Sequence, residues 1–273
     1  MRWVRSWFNV LPLRRAVGML YEGTIPARAL AVSFDDGYAD NEEIAAPILK
    51  RLGLPATFFV STGFLGGDTM WNDRVIEAVR GCTEAALDLR EHGLARYDMR
   101  TIDARHQAVG ALLGEIKRLE PARRRELTDA IVQVAGDRPS PSLMMRPHQV
   151  RSLRSQGMDV GAHTVTHPIL ARLSPDEARV EIGASKQTLE GLLDEPVELF
   201  AYPNGVPVQD YRAEHAALVR DCGFVAAVST AWGAASMRSD PFQLPRFTPW
   251  DRSRVRYGAR LLGNLRRVEE TAR

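Results

Sequence analysis

One stretch, residues 29–37 (Ala-Leu-Ala-Val-Ser-Phe-Asp-Asp-Gly), constrains the fold of this chain more than any other. Its first five residues are apolar or small, which is typical of a strand buried on both faces of a parallel sheet. Asp35 and Asp36 then follow side by side, and Gly37 lets the chain turn. Two adjacent carboxylates at the end of a buried strand repel each other unless a cation compensates them. In isolation the triplet is typical of a solvated turn, so other residues must decide between a turn and a site.

Strand-like and helix-like segments alternate along most of the 273 residues. Repeated strand–helix units imply a parallel sheet, and this many favour a barrel, whose functional side chains lie at the carboxyl ends of the strands. The helix predicted over 41–52 has Ile44, Ile48, Leu49 and Leu52 on one face, and Ser174 and Glu177 predict a capping box. The predicted strands are 29–33, 55–60, 158–163, 197–202, 223–228 and a short one at 243–246.

The region from about 68 to 146 departs from this alternation. It contains a predicted hairpin over 86–99 and two charged helices at about 104–119 and 122–135. Because strand–helix alternation resumes afterwards, we interpret the region as an insertion after the second strand. Residues 1–273 are then a single domain, an α/β barrel interrupted by a mainly helical insertion.

Composition excludes several classes of protein. A formal net charge of +2 is too small to indicate nucleic-acid binding, and no stretch reaches the roughly 18 apolar residues of a membrane span. Residues 1–15 mix arginines with tryptophans but have no continuous apolar core or cleavage site of a secretory signal. We therefore expect a cytoplasmic protein, and Cys82 and Cys222, far apart, fit a reducing compartment. Residues 1–15 either pack on their own domain, which Pro12 favours, or lie peripherally on the inner membrane surface.

Four polar features fall at predicted strand ends: Asp35-Asp36, His163-Thr-Val-Thr-His167, Tyr202-Pro-Asn-Gly205 and Leu244-Pro-Arg246. A His-x-x-x-His pair alone is more often structural than functional. Two histidines and one aspartate at strand ends, however, match the three protein ligands of a catalytic metal ion, which keeps one position open. The second aspartate is then available as a base.

These residues carry a resemblance to a known family. The chain resembles the polysaccharide deacetylases of the NodB-homology type, carbohydrate esterase family four, in its motifs Ser33–Gly37 and His163–His167. The resemblance spans roughly 29–247 without most of the insertion, and it implies a distorted (β/α)7 barrel. It also implies that Asp36, His163 and His167 hold a divalent metal and that Asp35 is the general base. Zinc is the expected metal, with cobalt, nickel and manganese as alternatives.

Two positions depart from the family pattern. The third motif has Ala201 in place of arginine and Asn204 in place of an aromatic residue, although the Asn204 backbone N–H can still donate to an oxyanion. The fifth motif has Arg246 where the family has a histidine acid, and arginine is a poor acid. Arg246 either pairs with Asp35 in place of the missing arginine or is a rim arginine paired elsewhere. Trp232 is either a sugar platform or a packing residue.

The resemblance therefore predicts a hydrolase that removes acetyl groups, N-acetyl above all, from an amino sugar in a polysaccharide or its precursor. Its partner is an acetylated glycan. Two alternatives stay open: an amide or cyclic-imide hydrolase acting on another substrate, and a non-catalytic carbohydrate-binding barrel. Retention of Asp35 argues against the last, because a site without activity has no reason to keep an unfavourable carboxylate pair.

Overall fold

The computed structural model describes residues 1–67, 69–136, 142–248, 251–267 and 270–272. They form two compact units, Met1–Gly66 together with Met144–Arg273, and Gly67–Leu143. The second unit falls within the insertion expected at about 68–146, and the treatment of the whole chain as one domain stays a prediction. Within the described ranges, no helix combines the length and apolar composition that crossing a bilayer requires.

Helices and strands follow each other along the chain in an order close to the one predicted. In chain order they are α1 (Arg2–Trp7), β1 (Asn9–Val10), α2 (Leu13–Tyr21), β2 (Ala29–Leu30), β3 (Ser33–Phe34), a π-helical segment (Asn41–Ala45), α3 (Ala46–Leu52), β4 (Thr57–Val60), α4 (Trp71–Gly81), β5 (Ala86–Asp88), β6 (Arg96–Asp98), α5 (Ile102–Ile116), α6 (Pro121–Ala135), α7 (Pro147–Ser155), β7 (Asp159–Ala162), α8 (Pro175–Leu193), β8 (Leu199–Ala201), α9 (Ala213–Asp221), β9 (Ala226–Val228) and α10 (Arg254–Asn264).

A parallel sheet of five strands in the order β3-β4-β7-β8-β9 forms the centre of the first unit. The longest pairing joins β4 to β7, from Thr57 opposite Asp159 to Val60 opposite Ala162. A single bridge between Val228 and Leu244 continues the parallel order beyond β9. Because all the strands run the same way, their carboxyl ends lie along one edge of the sheet.

Burial in this sheet follows from residue type. All four residues of β4 are buried, as are all three of β8 and of β9, and no charged residue occurs in these strands. Phe58 and Phe200 lie in the main apolar cluster of the unit together with side chains of α3, α7, α8 and α9. The predicted capping box at the start of α8 is confirmed, since Ser174 and Glu177 exchange hydrogen bonds there.

Three sequence predictions for this unit were wrong in detail. The strand predicted over 29–33 is two short strands, β2 and β3, whose residues are half-buried instead of enclosed on both faces. The segment predicted as one helix over 41–52 begins as a π-helix. Its buried side is that of Ala46 and Leu49, so Ile44 and Ile48, which the prediction placed on the apolar face, are 59% and 36% exposed. No strand forms at 243–246, where the ladder reduces to the single Leu244 bridge.

The second unit has an apolar core of its own. The predicted hairpin is present as the antiparallel pair β5–β6, with Leu87 opposite Tyr97. Both side chains are buried, and they pack with Val75 of α4, Leu112 of α5 and Ile131 of α6. The two charged helices predicted here are α5 and α6, and each buries one apolar stripe in this core.

Candidate active site

Of the six residues singled out from the sequence, four lie within four positions after a parallel strand and a fifth follows an isolated bridge to the sheet. Asp35 and Asp36 follow β3, His163 follows β7, and Asn204 lies three residues after β8. Arg246 lies two residues beyond the Leu244 bridge to β9, and its backbone N–H donates to the Ala231 carbonyl at 2.9 Å. The sixth, His167, is at the end of the loop that begins with His163.

The Asp35-Asp36 turn brings two consecutive carboxylates to the same site. Along a regular strand their side chains would point to opposite faces, but Asp36 has φ of 78° and Gly37 has φ of 90°, which break that alternation. The Ser61 backbone N–H fixes the turn by donating to the Asp36 carbonyl at 3.2 Å. Gly37 is required here, since any Cβ would lie 3.1 Å from a Val60 methyl group on a left-handed backbone.

The loop from His163 to His167 is held by many hydrogen bonds. Ser61 donates its hydroxyl to the His163 carbonyl at 3.0 Å, and the Thr164 hydroxyl accepts from the His167 backbone N–H at 3.1 Å. Thr164 and His167 both have positive φ, of 65° and 52°. Such conformations are unfavourable for non-glycine residues and persist where surrounding contacts fix them. The loop thus carries strain at the residues that aim both imidazoles inward.

Glu181 of α8 clamps the middle of this loop. Its carboxylate accepts from the Val165 and Thr166 backbone N–H groups, both at 2.8 Å, and from the Thr166 hydroxyl at 2.6 Å. On the other side, the Gly63 N–H donates to the Val165 carbonyl at 2.8 Å, so close that a Cβ on Gly63 would collide with that oxygen. The sequence reasoning did not identify Glu181, because nothing local to it indicates a partner fifteen residues away.

Asp36, His163 and His167 converge into one donor cluster, with one ligand atom from each lying within 4.8 Å of the others. The Asp36 Oδ1 atom is 3.3 Å from His163 Nε2 and 3.2 Å from His167 Nε2. Tetrahedral ligands about 2.0–2.2 Å from a zinc ion are about 3.3–3.6 Å apart, so these separations fit a small divalent metal.

The ring orientation of His163 is set by its other nitrogen. Nδ1 lies 2.6 Å from the Ala201 carbonyl, which only accepts, so Nδ1 carries a proton and donates it. The Nε2 atom is thereby directed at Asp36 as a potential ligand, the usual arrangement of a metal-binding histidine. Ala201 stands where the family has an arginine, and it orients His163 through its backbone carbonyl instead of through a side chain.

The charges in the cluster favour ionised Asp36. Burial raises the pKa of this carboxyl, but hydrogen bonds from His163 and His167 outweigh burial and hold the pKa far below its ordinary value. For His167, burial prevails and lowers the pKa of the imidazole. For His163, burial is outweighed by the Asp36 hydrogen bond, and the pKa is raised. An ionised carboxylate is the form that binds a metal.

Arg246 makes a two-pronged ion pair with Asp35. Its two terminal nitrogens donate to the two Asp35 oxygens at 2.7 and 2.8 Å, and its Nε donates to the Ser229 carbonyl at 2.8 Å. One terminal nitrogen also reaches the Ser33 hydroxyl at 3.2 Å. The side chains of Arg246 and Asp35 are only 15% and 28% exposed. Burial raises the pKa of Asp35, but the guanidinium overcomes this effect and the pKa lies below its ordinary value.

Asn204 presents a free backbone N–H near the same edge of the sheet. The residue has φ of 60°, and its carbonyl accepts from the Thr230 hydroxyl at 2.7 Å. Its N–H has no acceptor among the residues that the structure describes. Trp232 packs against Phe247 with ring centroids 5.5 Å apart, and it also lines a cavity of about 400 Å³ with Arg267. Both alternatives for Trp232, platform and packing, therefore remain.

An all-parallel sheet carrying an aspartate and two histidines at its carboxyl edge defines an α/β fold with a candidate metal site. The family model for polysaccharide deacetylase matches residues 22–120 and 127–227. The chain belongs to this family, whose members are hydrolases of carbohydrate esterase family four, and the resemblance stated from the sequence is confirmed.

Similar proteins agree with this membership. YxkH of Bacillus subtilis (strain 168), itself assigned only provisionally as a polysaccharide deacetylase, is 21% identical over 248 residues, covering 90% of this chain and 61% of YxkH. The chain thus spans about three fifths of the length of that curated relative.

Solved structures show the same fold. The Streptococcus pyogenes deacetylase PplD, in complex with acetate, has a TM-score of 0.57 and 20% identity, over 90% of this chain and 76% of PplD. IcaB from Ammonifex degensii has a TM-score of 0.55 and 18% identity, over 91% and 81% of the two chains. The predicted fold class, a distorted barrel of the NodB type, is confirmed.

Proposed function

We propose that this protein hydrolyses N-acetyl groups on an amino sugar, within a polysaccharide or its precursor, with a divalent metal at Asp36, His163 and His167. The observation that carries the proposal is the pairing of two arrangements side by side in the chain. Asp36 belongs to a cluster with the spacing of a metal site, and Asp35 next to it is held ionised by Arg246. Family membership and the acetate in the Streptococcus pyogenes structure support deacetylation, since acetate is the acid that this reaction releases.

The donor set fits zinc best among the divalent metals. Two imidazole nitrogens and one carboxylate oxygen suit zinc, whereas magnesium and calcium prefer oxygen ligands alone. When bound there, the metal supplies a Lewis acid that polarises the acetyl carbonyl and makes water more acidic. The protein supplies the remaining functions through Asp35, Asn204 and Arg246.

Asp35 acts as the general base and then as the acid. It accepts a proton from the attacking water as the new carbon–oxygen bond forms, and it returns that proton to the sugar nitrogen as the carbon–nitrogen bond breaks. Water and the acetamide are thereby converted to acetic acid and an amine, which exchange a proton to leave acetate and an ammonium group. This double use of one carboxyl removes the need for the family's histidine acid, whose place Arg246 occupies.

Arg246 and Asn204 stabilise negative charge at two places in the site. Arg246 keeps Asp35 ionised before the reaction, because its guanidinium compensates the burial of the carboxylate. The Asn204 N–H, which has no acceptor among the described residues, donates to the carbonyl oxygen as negative charge develops on it. Loss of one such donor typically lowers kcat by about 100- to 1,000-fold.

The test is incubation of the purified protein with an acetylated chitooligosaccharide, followed by mass spectrometry and by elemental analysis of the protein. We expect loss of acetyl groups and about one equivalent of zinc, with an Asp35→Asn protein as the inactive control. Binding without acetyl loss in a zinc-loaded protein would favour a carbohydrate-binding barrel. Neither binding nor acetyl loss in that protein would favour an amide or cyclic-imide hydrolase.

A further inference from the structure

The first and last described helices of the first unit come together, although they lie at opposite ends of the chain. Trp3 and Trp7 of α1 have ring centroids 6.1 and 6.3 Å from that of Tyr257 in α10. The guanidinium of Arg254 lies 5.0 Å from the Trp7 ring, and a Cβ on Gly258 would be in ordinary contact with the same ring at 3.5 Å. Helices α1 and α10 therefore form a continuous surface.

The side of α10 that faces away from these contacts carries exposed apolar side chains among arginines. Val255 and Leu262, two turns apart on one helix face, are 82% and 66% exposed, and Leu265 in the next turn is 59% exposed. The opposite side is anchored, since the buried Asn264 side chain donates to the Gly233 carbonyl at 2.8 Å. Exposed apolar side chains repeated along one anchored helix indicate a surface that contacts a membrane or another molecule.

The charge around this apolar stripe is strongly positive. Residues 1–15 contain four arginines and no acidic residue, and residues 251–267 contain six arginines and one acidic residue, Asp251. Asp251 is paired with Arg260 at 2.9 Å. In the part of the chain that the structure describes, the exposed Arg256 and Arg266 beside the stripe have no carboxylate partner.

We propose that the surface formed by α1 and α10, called here the basic helix pair, docks on the headgroups of an anionic lipid bilayer. Apolar side chains on one helix face with arginines beside them match the interfacial helices that lie in the plane of a membrane. A soluble polyanion would account for the arginines but not for the exposed Val255, Leu262 and Leu265. The proposal extends to α10 the membrane contact that the sequence suggested for residues 1–15, and it is independent of the catalytic site.

Sedimentation of the full chain with vesicles tests the proposal. One set of vesicles contains phosphatidylcholine alone, and the other contains in addition about a third of phosphatidylglycerol. We expect binding to the anionic vesicles only, weakened by 0.5 M salt, since each arginine near such a surface contributes about fivefold to the binding constant. The double variant Arg256→Ala/Arg266→Ala should then bind about 25-fold more weakly, while Arg51→Ala, an exposed arginine of α3, should bind normally.

The apolar stripe has its own variant and control. Leu262→Ser should reduce vesicle binding several-fold, and Val180→Ser, which changes a residue of similar exposure on α8, should leave it unchanged. Circular dichroism would establish that both variants are folded. Absence of binding by the unaltered protein, or equal binding to both kinds of vesicle, would overturn the proposal. Normal binding of Leu262→Ser with weak binding of the arginine variant would point to a soluble polyanion and would also overturn it.

Discussion

Replacement of Arg246 by alanine should move the pH dependence of this protein in a defined direction. The change removes both donors that reach the Asp35 carboxylate and leaves a carboxylate whose side chain is 28% exposed. With the guanidinium gone, burial is uncompensated and the pKa of Asp35 rises. Because Asp35 must be ionised to act as the proposed base, the acidic limb of the kcat/KM profile should shift to higher pH. Arg246→Lys keeps the positive charge but lacks the planar guanidinium that donates to both carboxylate oxygens, so it should shift the acidic limb less.

The same variant should lose stability. Breaking a fully buried ion pair by removing one partner costs about 3–5 kcal/mol, and the partial exposure of Asp35 places this pair at about 3 kcal/mol. For a protein of this size that corresponds to a fall in Tm of about 6–12 °C at neutral pH. Arg90→Ala, which breaks an exposed two-pronged pair with Asp88, is the matched control and should leave the stability nearly unchanged.

The pH dependence of that stability loss gives a readout that needs no substrate. The pKa of Asp35 is lowered in the folded protein, so the pair stabilises the fold above the unfolded value of about 3.9 and this contribution disappears as the pH falls further. The difference in free energy of unfolding between the protein and Arg246→Ala should therefore shrink as the pH falls, first above about pH 4, where Asp35 of the variant takes up a proton because its pKa is raised, and further below about pH 4, where the ion pair itself is lost. Urea titrations at several pH values measure it. Two results together would refute the proposal that Arg246 keeps Asp35 ionised. In Arg246→Ala the acidic limb of the kcat/KM profile would stay in place, and the difference in free energy of unfolding from the unaltered protein would not change with pH.

Three further predictions concern the donor cluster and the residues beside it. His163→Ala should abolish stoichiometric metal uptake in elemental analysis, and retention of one equivalent would contradict the ligand assignment. Asp35→Asn should keep its metal and lose about 100- to 10,000-fold in kcat, so near-normal turnover would show that Asp35 is not the base. Glu181→Ala should weaken metal affinity about 10- to 100-fold in a competition titration with a chelator, because the loop that aims His167 loses three hydrogen bonds. Glu181→Gln should restore part of that affinity, and unaltered affinity of Glu181→Ala would rule out a positioning role.

The position of the candidate site could be predicted because it follows from local sequence and strand direction. Asp35-Asp36 and His163 directly follow apolar segments, and parallel strands place such residues at one edge of the sheet. The contact between Arg246 and Asp35 could be proposed for the same reason, since one arginine is absent where the family has it and another appears at a strand end.

Other features left no pattern to recognise. Glu181 contacts the His163–His167 loop only through tertiary packing of α8, and in sequence it is one more charged residue on a helix. The Ala201 carbonyl orients His163 through a backbone atom, which any residue type would provide. The exposure of Ile44 and Ile48 depends on which side of the helix packs on the core, here the side of Ala46 and Leu49, and the apolar pattern in the sequence does not show that choice.

The connection between β4 and β7 has a consequence for how this protein can vary over evolutionary time. The two strands are neighbours in the sheet although the segment Gly67–Leu143 separates them in sequence, and the Gly66 N–H donates to the Met145 carbonyl at 3.4 Å. The segment therefore leaves and re-enters the first unit at adjacent points, with a core of its own. Lengthening a connection whose ends already meet costs little, about 0.6 kcal/mol for each doubling. The segment Gly67–Leu143 can therefore be exchanged, shortened or enlarged during evolution without moving Asp36 and His163.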